Sequence, residues 1–389
     1  MKINSTFYTV LLAGLLLPIL LNGQNKTEKV IQPNALCSNS IGKNNFISIL
    51  DYGANPASGI QDDTERIQRA IDENPGRTIF FPAGFYRVTR DIIVKKSVEL
   101  VGEGKNNTIF QPLDCNGFVI TSGGVVIRNM FIYGAGTKSK TGIYCVGIRN
   151  TVLENLTIQN LTYGIELVNV WDTKIDKVDL QINRSQTPQI AQGIRLVGQC
   201  VNNHISNCHI LANDFGIAII KNGDSGAEGL MITNTLIASC KAGIYSEGIM
   251  SLHVSNCIID LITEWALHLT NTRGLLLSNN WIYTQGDKTN PKDEAIHLES
   301  CWDCHISNNN IKSITSARAV SMIAYSNNNS ITGNSIELGN LDGNHVVLDQ
   351  STSYNIIKDN SMRWSSTDKP RLVNQGKSNI IKDNLHVDN

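Results

Sequence analysis

The sequence predicts an all-β protein, a single-stranded parallel β-solenoid of about 11 coils with an α-helical cap at its N-terminal end. Three observations predict it. A phrase of the form apolar, any, Asn, any, any, Ile-like recurs 11 times, from IRNMFI and LENLTI through ISNCHI and ISNNNI to IKDNLH. A second strand-like phrase, GIYC, GIEL, GIRL, GIAI, GIYS, ALHL or AIHL, falls once in each period. Upstream of the repeats the pattern changes to one helix followed by two short strands. Composition agrees: 41% hydrophobic residues exclude a disordered chain, 17% charged residues are too few for a coiled coil, and a net charge of -1 excludes a nucleic-acid binder relying on bulk electrostatics.

Taken in order, the chain opens with Lys2 and an apolar run from Phe7 to Leu21, closed by Asn22 and Gly23. That pattern predicts a signal peptide over 1–23 and export, secreted or periplasmic, with no membrane attachment after cleavage. Residues 24–45 read as a linker. Over 46–104, a cap and the first coils are expected: Asp62 or Asp63 starts a helix through Ile67, Ala70 and Ile71, the Asn74-Pro75-Gly76 cluster ends it, and TIFF and YRV follow as strands. The solenoid domain runs from 46 to 389.

In the coils, the third position of the phrase is Asn129, Asn155, Lys177, Asn207, Asn234, Asn256, Asn279, Asn308, Gly333, Asp359 and Asp383, spaced about 25 residues apart. Asn, Asp and Gly tolerate the left-handed backbone of a sharp bend, so this column is read as structural, with stacked Asn side chains bonding along it. The nine Cys fall largely in apolar strand segments and read as buried thiols. Cys301 and Cys304 form one CxxC, read as a local disulfide or as two stacked core positions.

Strand alternation sends the second residue of each GIYC-like phrase inward and the third outward. The outward column is then Val119, Tyr144, Glu166, Arg195, Ala218, Tyr245, His268, His297 and Ser321, with members about 4.8 Å apart. Two residues further, a second column ends in Glu247, Thr270 and Glu299. Long connections at 181–192, 221–229 and 284–294 are placed to wall a cleft. Titratable groups of several kinds clustered on one face are what acid-base chemistry requires. The competing reading is that an exposed β surface is polar in any case and accepts His and Tyr. His204, His253 and His305 serve as a control, since they recur on alternate coils of another face, too far apart to share a metal.

The cap carries a family resemblance. Asp51-Tyr52-Gly53-Ala54, Asp62-Asp63-Thr64, Ile67-Gln68, Ala70-Ile71 and Phe81-Pro82-Ala83-Gly84 with Tyr86 resemble the N-terminal segment of the pectate-lyase-like superfamily, which includes family-28-glycosidase-related proteins and phage tailspikes. The resemblance implies a right-handed parallel β-helix over about 46–389, action on a polysaccharide, and, through the tailspikes, a homotrimer as the assembly to test. The Asn-Thr-Asp, paired Asp-Asp, Gly-His-Gly and Arg-Ile-Lys of polygalacturonases are missing from the coils, as is the Arg-x-Pro-x-x-Arg of calcium-dependent pectate lyases, so neither mechanism transfers residue by residue. Coils such as GLLLSNNWI also resemble inulin fructotransferases.

Two chemistries fit the columns. In β-elimination, Arg195 neutralises a uronate carboxylate, Tyr245 or His268 takes the neighbouring proton, and His297 or Tyr245 protonates the leaving oxygen. In hydrolysis, Glu247 and Glu299 flank the bond about 9.6 Å apart, nearer the separation of inverting glycosidases. Catalysis is thus assigned to Tyr245, Glu247, His268, His297 and Glu299, and substrate binding to Tyr144, Glu166 and Arg195, with no cofactor or metal expected. A rod that binds carbohydrate without reaction, its Trp171, Trp265, Trp281 and Trp302 stacking on sugars, is the alternative from another class.

Overall fold

The recurring Asn is first of all a backbone feature. In a computed structural model, which describes residues 46–388 except 58, 139, 183–188, 286–293, 340–342 and 365–370, all 11 positions of the column have positive φ, from 50° at Asn155 to 67° at Gly333. In the first three coils the left-handed residue, Asn129, Asn155 or Lys177, bends a strand that runs on through it; from Asn207 onward it divides the strand in two, as between His204–Ser206 and His209–Leu211. Only a residue with low cost in the left-handed region can repeat there. The signal peptide and linker expected over 1–45 lie outside the described residues, as do half of the loop at 181–192 and most of that at 284–294.

The chain winds into a right-handed parallel β-solenoid of about 11 turns. The pairings among its described strands are parallel, so each strand bonds to the same element one coil away. One 12-stranded sheet gathers the GIYC-like strands in order, from Ile92–Val94 to Leu372–Asn374. The strands that run through or flank the left-handed bend, together with the other strands of the N-terminal part from Phe46–Ser48 to Thr108–Pro112, form the remaining 24-stranded sheet. Inside, Phe118, Ile143, Ile165, Ile194, Ile217, Ile244, Leu267, Ile296 and Val320 stack at 0% exposure. Burying each such side chain contributes about 1.5–3 kcal/mol. The Gly that opens the phrase has its own cause: a Cβ at Gly193 would lie 2.6 Å from the Gly216 carbonyl oxygen of the next coil.

Hydrogen bonding along the rod departs from expectation in one respect. Asn155 donates to Asn129 (2.8 Å), but the long side-chain ladder runs one residue later, through Asn280, Asn309, Asn334, Asn360 and Asn384. Each Nδ2 there donates to the next Oδ1 at 2.9–3.0 Å. The left-handed residue turns its side chain to solvent, while its successor points inward, where an unpaired amide would be costly. The same column holds Met130, Leu156, Val178, Cys208 and Cys257 in earlier coils. The eight described cysteines are buried and free, so Cys301 and Cys304 take the second of the two expected roles.

At the N-terminal side, helix α1 (Thr64–Glu73) buries Ile67, Ala70 and Ile71. Asp63 holds the N-cap position, yet the Asp62 carboxylate accepts from the Thr64 N–H (3.0 Å). Asp63 instead takes Asn55 N (3.3 Å) and Gln61 Nε2 (2.7 Å). At the other end Asn74 Nδ2 donates to the Ala70 carbonyl (2.8 Å). Among the described residues, no helix is long and apolar enough to cross a membrane.

Candidate functional site

Strand register places the outward column as its alternation demands. Val119, Tyr144, Glu166, Arg195, Ala218, Tyr245, His268, His297 and Ser321 are successive Cα partners. Thr270 pairs with Glu299 in the second column, and Glu247 follows directly on its strand, its backbone N bonded to the Ile219 carbonyl (2.9 Å). His204, Met231, His253, Leu276 and His305 alternate on another face.

The column divides into two clusters separated by buried Ala218. In the first, Arg195 is ion-paired to Glu166 and its guanidinium lies 5.5 Å from the Tyr163 ring centroid. Burial, with the Glu166 charge, pushes the Tyr144 hydroxyl up. Arg195 is therefore already partnered, and it stands three coils, about 14 Å, from His268.

The second cluster is a stack of rings. Phe215 and Tyr245 lie 4.7 Å apart, Tyr245 and His268 5.3 Å, and His268 and His297 4.7 Å, all within 18° of parallel. Trp265 meets His268 edge-on at 4.7 Å. Tyr245, His268 and His297 are in register and stack because the strand spacing is close to the aromatic contact distance, while Phe215, whose Cα partner is Ala242, reaches Tyr245 on the diagonal. Burial, with the His297 charge, lowers the His268 pKa, so its imidazole stays neutral, and its Nδ1 is buried without a partner. Burial, with the Glu247 carboxylate beside it, raises the Tyr245 hydroxyl.

Beneath His297 lies a group that the sequence reading missed. Glu294, 3% exposed, accepts from His297 Nδ1 at 2.6 Å and from Arg318 at 2.6 Å, and Ser321 donates to it as well. Burial alone would push this carboxyl up, but the hydrogen bonds from His297 and Ser321 and the Arg318 charge hold it below the usual range. A carboxylate on Nδ1 fixes the ring and its tautomer and leaves Nε2 as the outward atom, 3.8 Å from Glu299. Ser321 sits 3.1 Å from Nδ1, on the wrong side of the ring for a nucleophile. The signal was present in sequence: Glu294 occupies the strand position that carries Tyr163, Phe215 and Trp265 in other coils. In sequence it closes the 284–294 connection, where nothing local marks it as part of a strand.

Tyr245, His268, His297 and Glu299 thus come together with Glu294, and Glu247 borders them beside Tyr245. Glu247 and Glu299 are two coils apart, as their spacing predicts. Among the described residues no group of three or more His, Cys, Asp or Glu is placed to hold a metal. Lys221, Asp224, Gly248 and Met250 line a cavity of about 210 Å³ beside Glu247, and the 221–229 segment that carries two of them is closed by an Asn222–Ser225 bridge.

Residues 46–275 match the family described as rhamnogalacturonase A/epimerase, pectate lyase-like. The tail spike protein of Shigella phage Sf6 is 24% identical over 293 residues, 66% of this chain and 46% of that protein, so the chain spans less than half of that relative. Among solved structures, the A-module of the Azotobacter vinelandii mannuronan C-5 epimerase AlgE6 aligns with a TM-score of 0.62 and 16% identity over 87% of this chain and 99% of the module. The catalytic unit of a GH87 alpha-1,3-glucanase from Streptomyces thermodiastaticus aligns with 0.66 and 15% over 90% and 69%, and PfbA, a surface adhesin of Streptococcus pneumoniae, with 0.61 and 16% over 86% and 93%. At such identities the likeness is one of fold. The match across more than half of its length places the chain in the rhamnogalacturonase A/epimerase, pectate lyase-like family.

Proposed function

We propose that this protein acts on an extended acidic polysaccharide, and that its chemistry is removal of the proton on the sugar carbon beside a uronate carboxylate. The observation that carries this reading is the Glu294–His297 couple stacked on a neutral His268 and on Tyr245. A neutral imidazole is a competent base, and a second ring oriented by a buried carboxylate is a competent proton donor. His268 takes the proton from carbon, and its electron pair moves toward the carboxylate. Either the glycosidic bond to the neighbouring carbon then breaks, with the Tyr245 hydroxyl or the Nε2–H of a doubly protonated His297 protonating the departing oxygen and a carbon–carbon double bond forming, or water delivers a proton to the other face of the carbon while His268 releases the one it took to solvent. Tyr144, Glu166 and Arg195, further along the column, hold the chain at a distance from the reaction. That named neighbours include a mannuronan epimerase and a tail spike protein supports a glycan partner. Export and a homotrimer belong to the same proposal.

Hydrolysis is the second reading, favoured by one observation: Glu247 and Glu299 stand two coils apart across Thr270, about 9.6 Å by strand spacing. A panel of uronate-containing and neutral polysaccharides separates the two. Ultraviolet absorbance from a new conjugated double bond, or a changed sugar configuration, supports proton abstraction; new reducing ends with neither would transfer the chemistry to Glu247 and Glu299. No change in any readout would leave a binding rod.

A further inference from the structure

We infer that the face adjoining the ring column carries a separate binding site for a neutral sugar unit, built on Trp302. Within a coil the chain leaves His268 or His297, passes Thr270 or Glu299, bends at Asn271 or Ser300 with φ of 46° and 51°, and reaches Arg273 or Trp302. Met250, Arg273, Trp302 and Asn327 are bridge partners on four successive coils. Met250, Arg273 and Trp302, with Asp303 and Asn328, line a cavity of about 480 Å³, a volume suited to one or two sugar rings. Trp302 is only three residues from Glu299, so the cavity opens within about 10 Å of the column along the chain.

The lining suits one ligand chemistry. An indole face packs against the C–H face of a pyranose, and planar Arg, Asp and Asn groups pair with adjacent hydroxyls, whose donors and acceptors they match. Charge decides between neutral and acidic sugars. Arg273 Nε donates to Asp303 at 3.0 Å, so the two charges offset each other and a uronate would gain no net attraction. Other tryptophans differ in setting: the Arg149 guanidinium lies 4.9 Å from the Trp171 ring centroid, Trp265 packs on His268, and Trp281 stands beside exposed Ile258 on a regular strand face. The site does not depend on the proton-transfer reading.

The test is equilibrium binding of the full chain to a panel of neutral and acidic oligosaccharides, followed by intrinsic fluorescence and calorimetry. A neutral oligosaccharide should bind, Trp302→Ala should weaken it about tenfold with an unchanged melting temperature, and Trp302→Phe should restore most of the affinity. Asp303→Asn should shift preference toward acidic sugars, a change that a packing role for Trp302 would not produce. His268→Ala should leave binding intact, which separates this site from the column. Absence of neutral-sugar binding across the panel, or equal binding by Trp302→Ala, would overturn the inference.

Discussion

At Asn256 the backbone has φ of 55° and the side chain faces solvent at a bend, so its identity answers to conformation alone. Asn256→Leu should therefore cost about 1 kcal/mol, seen as a lower midpoint in urea; an unchanged midpoint would show that the bend tolerates any side chain. His268 is governed by burial instead. His268→Ala should abolish turnover and leave the melting temperature nearly unchanged, and wild-type rates in the folded variant would move the base elsewhere. Because its pKa is lowered, His268 stays neutral below the usual histidine value of about 6.5. The acid limb of kcat/KM should fall below that value.

Two elements carry most of the sequence-specific hydrogen bonding. In the inward ladder, Asn309 accepts both Asn280 N and Asn280 Nδ2 (2.9 Å each) and donates to Asn334 (3.0 Å). Asn309→Ala strands these buried groups and should cost about 3 kcal/mol, whereas exposed Asn310→Ala should change stability by less than about 0.5 kcal/mol. The ladder was not legible because the same column accepts Met130 or Cys257 elsewhere; the repeating signal sat one residue earlier, on the bend. The strand Asn344–Leu348 carries His345, which burial pushes down to about 4. An unfolded chain titrates this group near 6.5, so above that pH it is neutral in both states; as pH falls toward 4 only the unfolded state gains the proton, and stability drops by roughly 3 kcal/mol. Urea titrations at several pH values should show a shallower acid loss in His345→Leu than in wild type, and equal slopes would remove His345 as a cause.

Across the whole molecule the fold was legible because repetition multiplies a weak local pattern: one ISNCHI means little, but 11 such phrases at nearly constant spacing admit one winding. The outward column was legible for the same reason, since strand alternation needs no knowledge of packing. What escaped was set by contacts between coils. Glu294 lies at a strand start, and its pairing with His297, Ser321 and Arg318 exists only once neighbouring coils stack. Likewise the Glu166–Arg195 ion pair turns a free cation in sequence into a partnered one. The proposed chemistry rests on this second tier of contacts. Its most direct test is nuclear magnetic resonance of a uronate-containing polysaccharide incubated with the full chain in deuterium oxide. Proton abstraction by the His268 column predicts either a new carbon–carbon double bond or deuterium on the carbon beside the carboxylate, both lost in His268→Ala. Cleavage with that carbon still carrying its original proton would contradict the account.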